Sequence, residues 1–328
     1  MKASRRRFLT NAAKALGGFA LVQPIGGWTF AARRPSADLI HRSMAAMGTS
    51  IRLSLLESEF TGNAASNAFE RIADVDRLLT VHNAASALMQ VNGGAAVSGS
   101  EISDVARAAL HFGSLTEGAM DVTVLPALRR LGFVPGATGH DLIDYSLLDV
   151  NGTTVRMRSS DVGADFGGIA KGYGVDQAVS AARKAGVSAA LLDAGGDLFA
   201  LGRPDADRPW KVGVRHPEKD NDLVATLEVE DEAVATSGIT MQTKVIDGKT
   251  VSHLIDPRTG QPVNHVVSAT IVARDTMTAD ALATAVSVAR RSQGQHLVES
   301  QPDVEGFLIY ADGTSFTSKG LQNRLRLL

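Results

Sequence analysis

Asp280 and Thr284 stand four residues apart in the segment Thr278-Ala279-Asp280-Ala281-Leu282-Ala283-Thr284. Positions i and i+4 share one helix face, so a carboxylate and a hydroxyl at this spacing can address one small object. Two such oxygens suit a hard cation such as Mg²⁺, which takes few protein ligands and completes its shell with water and substrate phosphates. A helix start beside them would also favour those phosphates. The same residues equally describe a capping Asp and a Thr bonded back to the preceding turn. A second segment, Asp165-Phe166-Gly167-Gly168-Ile169-Ala170-Lys171-Gly172-Tyr173-Gly174-Val175-Asp176, joins closely approachable backbone to one acid and one base. It is neither a Walker A loop nor a G-x-G-x-x-G fingerprint. It serves as a ligand loop or as a glycine turn that starts a helix. In His253-Leu254-Ile255-Asp256-Pro257-Arg258-Thr259-Gly260 the Asp-Pro-x-Thr-Gly run predicts a tight turn. His253 beside it is either a proton handler or a structural histidine.

These groups need elements to hold them. Alternation predicts a strand over 50–55. Ala68, Phe69, Ile72, Val75, Leu78 and Leu79 predict a helix over about 63–80, and a similar pattern predicts one over 101–115. A turn and short helix are expected over 123–133. Helices over 169–185 and 275–290 would carry Lys171 and the Asp280/Thr284 pair. Strands are expected at 189–193, 198–201, 210–214, 225–229, 234–236, 244–246, 251–255, 267–272 and 307–310. A run of consecutive strands between helices argues for an α+β fold rather than a doubly wound parallel sheet.

The chain has 328 residues, enough for one large core. It has no cysteine, which excludes disulfides, thiolate metal sites, cysteine nucleophiles and a lipid-modified N-terminal cysteine. Residues 1–32 hold Lys2, Arg5, Arg6, Arg7 and Lys14 and no acid. Without them the remainder is acidic on balance, which argues against sequence-general nucleic-acid binding. Ser4-Arg5-Arg6-Arg7-Phe8-Leu9 fits the twin-arginine export pattern, and a broken apolar stretch and Ala31-Ala32 follow it. Residues 1–32 are therefore expected to be a twin-arginine signal peptide, and 33–328 a single periplasmic domain, soluble and without a lipid anchor.

Seven segments in order strengthen what each says weakly. Met47-Gly48-Thr49, Gly118 through Pro126, Asp165 through Asp176, Gly195-Gly196-Asp197, Thr236-Ser237-Gly238, His253 through Gly260 and Asp280 through Thr284 closely resemble the ApbE family of FAD:protein FMN transferases. The resemblance runs from about residue 43 to the end. It implies a T-fold-like α+β catalytic domain that binds FAD with Mg²⁺ at the pyrophosphate. It places the metal on Asp280, Thr284 and a backbone carbonyl of the glycine turn, at Gly168. It places FAD contacts at Met47, His82, Ala119, Met120, Asp121, Asp165, Lys171, Leu254 and Ile255, and gives His253 and Asp280 catalytic roles. It implies transfer of FMN to a Thr or Ser hydroxyl of a flavoprotein of a membrane or periplasmic electron-transfer system, with release of AMP. Hydrolysis of FAD to FMN and AMP, or FAD carriage without chemistry, would use the same cleft. Many relatives carry an aromatic residue where this chain has His82, and Trp-Gly-Phe where it has Leu131-Gly132-Phe133. A soluble, twin-arginine exported member resembles the accessory transferases of nitrous oxide reduction.

Overall fold

The computed structural model describes residues 39–60, 62–137, 142–205, 207–219 and 222–328. The expected signal peptide lies outside the described residues. The organising element is an eight-stranded sheet. Its strands run, from one edge to the other, Leu39–Ala46, Thr49–Leu56, Ala190–Ala194, Asp197–Leu201, Glu232–Gly238, Val266–Ala273, Glu305–Tyr310 and Ser315–Thr317. Every neighbouring pair is antiparallel, which bears out the α+β expectation.

Side chains along a strand alternate between faces, and here both faces are covered. Leu192, Phe199, Ala235 and Ile271 enter one core with the helices Gly62–Leu79, Ala170–Lys184 and Thr276–Val288. Leu191, Leu198, Val234 and Val272 enter a second core with Trp210, Val212 and Leu227. The latter residues belong to a three-stranded sheet of Trp210–Arg215, Leu223–Val229 and Leu325–Leu327. The central strand Val266–Ala273 is buried along its whole length, so its residues read as a continuous apolar run without alternation. In the helix Gly62–Leu79, Ala68, Ile72, Val75 and Leu79 are all buried, as the 3.6-residue period requires.

Two hairpin turns set loops that matter below. Met47 and Gly48 both have positive φ, at 51° and 72°, between paired Ala46 and Thr49. That is the two-residue turn whose twist matches the flanking strands. Gly195 and Gly196 connect Ala194 to Asp197 in the same way. A Cβ on Gly195 would lie 2.2 Å from Thr49 Oγ1, so the two hairpin ends are packed together.

Some elements differ from expectation. The helix expected over 275–290 ends at Val288, and extended backbone at Ala289 and Arg290 separates it from a further helix, Arg291–Ser300. The strand expected over 251–255 divides into Lys249–Ser252 and Ile255–Asp256, interrupted at His253 and Leu254. The Asp256–Gly260 turn closes as expected: Thr259 and Gly260 donate to the Asp256 carbonyl at 3.1 and 2.8 Å.

Candidate active site

The helices Ala170–Lys184 and Thr276–Val288 pack together, and the start of the first and the middle of the second face a cleft of about 670 Å³. That size falls within the range of small-molecule sites. Asp280, Thr284, Gly168 and Lys171 all line it. Asp280 is only 1 % exposed. Its Oδ2 accepts the Gly172 N–H at 3.1 Å, and its Oδ1 lies 3.3 Å from Lys171 Nζ. Thr284 Oγ1 is 3.4 Å from Ser237 Oγ. A Cβ on Gly168 would fall 2.9 Å from Thr284 Oγ1, so the absence of a side chain there lets the turn approach the hydroxyl.

The capping alternative for Asp280 is excluded, because Asp275 is the N-cap and its Oδ1 accepts the Thr278 N–H at 2.8 Å. The expectation that this helix start would serve phosphates is corrected for the same reason. Asp176 accepts the N–H groups of Thr276 and Met277 at 2.8 and 2.9 Å, so the first-turn donors are already engaged by carboxylates.

Asp197, which follows the Gly195-Gly196 turn, has no role assigned by its sequence surroundings. It is 2 % exposed, lines the cleft and forms an ion pair with Lys171. The signal for it was an acid at the start of the otherwise apolar strand Asp197–Leu201. One ammonium thus faces two buried carboxylates. Burial works against the Lys171 charge, but Asp197 and Asp280 outweigh it and raise its pKa. Burial and the Asp197 charge push Asp280 up to about 7 against the opposing pull of Lys171. Asp280 is therefore protonated more readily than an exposed carboxylate, with Lys171 beside it favouring the charged form.

His253 lines the same cleft. Its Nδ1 is 3.2 Å from the Gln242 carbonyl oxygen, which can only accept, so Nδ1 carries the hydrogen and Nε2 the lone pair. Burial lowers its pKa to about 4; the Gln242 contact opposes this, and the Lys171 charge adds to it. The ring is therefore neutral at physiological pH. Phe133 stands edge-on to it, with ring centres 6.4 Å apart.

Of the other expected contacts, Met47, His82, Ala119, Asp121, Asp165, Leu254 and Ile255 line the cleft. The Met47 N–H is held by Asp76 Oδ2 at 2.9 Å. Asp121 has both oxygens committed elsewhere: Oδ1 accepts from the Thr123 N–H and hydroxyl at 2.7 and 2.6 Å, and Oδ2 from the Tyr145 N–H at 3.0 Å. It shapes the wall rather than offering a free carboxylate. Asp165 Oδ1 closes its own turn on the Gly167 N–H at 2.7 Å, and burial raises its pKa. Met120 departs from expectation. It is 3 % exposed, does not line the cleft, and its methyl would lie 3.4 Å from a Gly168 Cβ, so it packs against the glycine turn.

Among the described residues no three His, Cys, Asp or Glu side chains are grouped to hold a metal ion. The oxygens near Thr284 are the buried Asp280 and Asp197 carboxylates, both facing Lys171, the Thr284 and Ser237 hydroxyls and the backbone of the glycine turn. That set fits a hard cation with few protein ligands better than a soft one.

Fold and cleft together define a class: antiparallel α+β proteins with a small-molecule site between two packed helices and the main sheet. The ApbE family model matches residues 47–308, and the chain belongs to the ApbE family. It is 30% identical over 289 residues to the FAD:protein FMN transferase of Vibrio cholerae, covering 80% of this chain and 85% of that one. It is 29% identical over 263 residues to the Escherichia coli K12 protein of the same name, covering 74% and 75%. Among solved structures, the ApbE protein of Thermotoga maritima superposes with a TM-score of 0.80 at 27% identity, over 88% of this chain and 99% of that one. The flavin transferase ApbE of Vibrio cholerae gives 0.77 at 26%, over 88% and 99%.

Proposed function

We propose that this chain transfers the FMN half of FAD to a Thr or Ser hydroxyl of an acceptor flavoprotein, releasing AMP, and depends on Mg²⁺. The observation that carries this is the placement of a neutral histidine in the same cleft as Lys171, Asp197, Asp280 and Thr284. The names of the relatives point to the same reaction.

In this reading FAD lies along the cleft with its pyrophosphate over Lys171 and the Gly167-Gly168 turn. Lys171 neutralises phosphate charge, and Asp197 keeps that ammonium in place. The acceptor hydroxyl attacks the FMN phosphorus. A new phosphorus–oxygen bond forms to the acceptor, and the bond to the bridging oxygen breaks. AMP leaves with that oxygen. The lone pair at His253 Nε2 takes the hydroxyl proton, and because burial keeps the ring neutral that lone pair is open at neutral pH. Asp280, Thr284 and the Gly168 carbonyl would hold the metal, which supplies Lewis-acid stabilisation of the pyrophosphate when bound.

The export pattern in residues 1–32 supports a periplasmic site of action, and an acceptor in a membrane or periplasmic electron-transfer system. Among the described residues no helix is long and apolar enough to cross a membrane. Incubating the protein with FAD, Mg²⁺ and co-expressed exported flavoproteins, then weighing each intact, tests the reading. An acceptor heavier by one FMN less one water supports it. AMP release with no acceptor gaining mass replaces it with FAD hydrolysis, and FAD binding with no turnover replaces it with carriage.

A further inference from the structure

The two helices of the site exchange carboxylates at their starts. Asp176, on Ala170–Lys184, accepts the first N–H groups of Thr276–Val288, at Thr276 and Met277. Asp280, on Thr276–Val288, accepts the Gly172 N–H of Ala170–Lys184. Gly172 lies where the helices meet: a Cβ there would stand 2.3 Å from the Thr276 carbonyl oxygen and 2.6 Å from Met277 Cα. Each helix is thereby fixed to the other, by two charge-assisted bonds to Asp176 in one direction and one to Asp280 in the other, across a contact with no room for a side chain.

We propose that Asp176 is a positioning residue, holding Thr276–Val288 in register against Ala170–Lys184 so that Asp280 and Thr284 meet Lys171 and Gly168. This rests on the reading of the cleft as the cation and pyrophosphate site. Local capping does not account for Asp176, because Asp275 already fills the N-cap position. What Asp176 adds is attachment to the particular helix that carries Lys171. It does not line the cleft, so its influence on a ligand must pass through the two helices. Displacements well below 1 Å at Asp280 and Thr284 are enough to spoil coordination, because hard-cation geometry is demanding.

The test uses full-length protein carrying Asp176→Ala or Asp176→Asn, with Asp280→Ala as reference. Hydrogen exchange at the Thr276, Met277 and Gly172 amides should quicken about tenfold or more in Asp176→Ala, with the sheet amides unchanged. The Mg²⁺ concentration that half-saturates FAD binding should rise about tenfold, as part of the loss of two charge-assisted bonds is passed to Asp280 and Thr284. FAD binding without Mg²⁺ should stay within about twofold. Asp176→Asn keeps an accepting oxygen and should recover most of both effects; it carries the test if the alanine variant does not fold. Wild-type Mg²⁺ dependence in Asp176→Ala, or faster exchange spread evenly over the protein, overturns the proposal. Failure of the cation reading is separable: the wild type would then bind FAD without regard to Mg²⁺, and local exchange would still decide the register.

Discussion

A Cβ on Gly168 would stand 2.9 Å from Thr284 Oγ1, with its other near neighbours the Thr284 methyl at 3.2 Å and the Met120 methyl at 3.4 Å. The glycine turn and the third turn of Thr276–Val288 thus meet with no spare volume. Gly168→Ala should push the turn off Thr284 while sparing the fold. A loss of about 10²-fold in kcat/KM is expected, the scale of a sub-ångström displacement at a reacting centre. Transfer assays beside thermal unfolding check it, and unaltered kinetics would refute it.

Replacing Asp280 separates binding from chemistry. Asp280→Ala leaves Lys171 paired with Asp197, so the ammonium is not orphaned and the protein should fold. Transfer should fall by about 10²- to 10³-fold, as for removal of one preorganised electrostatic group. Steady-state rates at saturating Mg²⁺ provide the measurement.

His253→Ala should remove transfer without removing FAD. A drop of about 10²- to 10⁴-fold in kcat is the usual contribution of a general base. The His253 pKa is depressed to about 4, so the ring stays neutral down to mildly acid pH. An acid limb of the kcat profile near pH 6.5 would therefore not belong to His253. Its depressed folded pKa also means that stability rises with pH between about 4 and 6.5. Flavin-fluorescence titration of the variant should give a dissociation constant within about twofold of wild type.

Asp280 acts in the opposite direction. Its folded pKa, about 7, lies above the unfolded value, so the folded state keeps a proton that the unfolded chain releases. That contribution to stability is complete below about pH 4 and is lost as pH rises toward 7. Asp176 and Asp193, both raised to about 6 by burial, add in the same sense. Metal-free protein should melt at lower temperature near pH 8 than near pH 5, and Asp280→Asn should shrink the difference. The same protonation predicts that Mg²⁺ affinity increases over this range.

Gly172→Ala tests the helix contact itself. The added methyl meets backbone, at 2.3 Å from the Thr276 carbonyl oxygen, and backbone cannot rotate aside. Destabilisation of about 1–3 kcal/mol is expected from overpacking, measured by denaturant unfolding.

Much of the site was legible because its residues lie on short, self-contained signals. The Asp280/Thr284 spacing, the glycine turn before Lys171 and the Asp256–Gly260 turn each declare themselves locally. What escaped depends on distant partners. Asp197 gains its meaning only from Lys171, on another element, and Asp176 only from amides a hundred residues on. The engagement of the helix start by Asp176 was invisible for that reason. The break after Val288 also went unseen, because Ala289-Arg290 carries neither Gly nor Pro and the apolar period runs through it. The strand Leu39–Ala46, with His41, Arg42 and Ser43 in its middle, lies at the sheet edge where burial is partial, so its pattern is weak.

Ile51 hydrogen-bonds alongside Ala194, and Val272 alongside Glu305, so the sheet joins early residues to late ones. Chain emerging from the ribosome cannot complete this sheet until nearly all of it has been synthesised. Lys171 likewise waits for residue 280 before its second carboxylate exists. A nascent chain that stops short of residue 280 therefore holds the Lys171–Asp197 pair without the rest of the site.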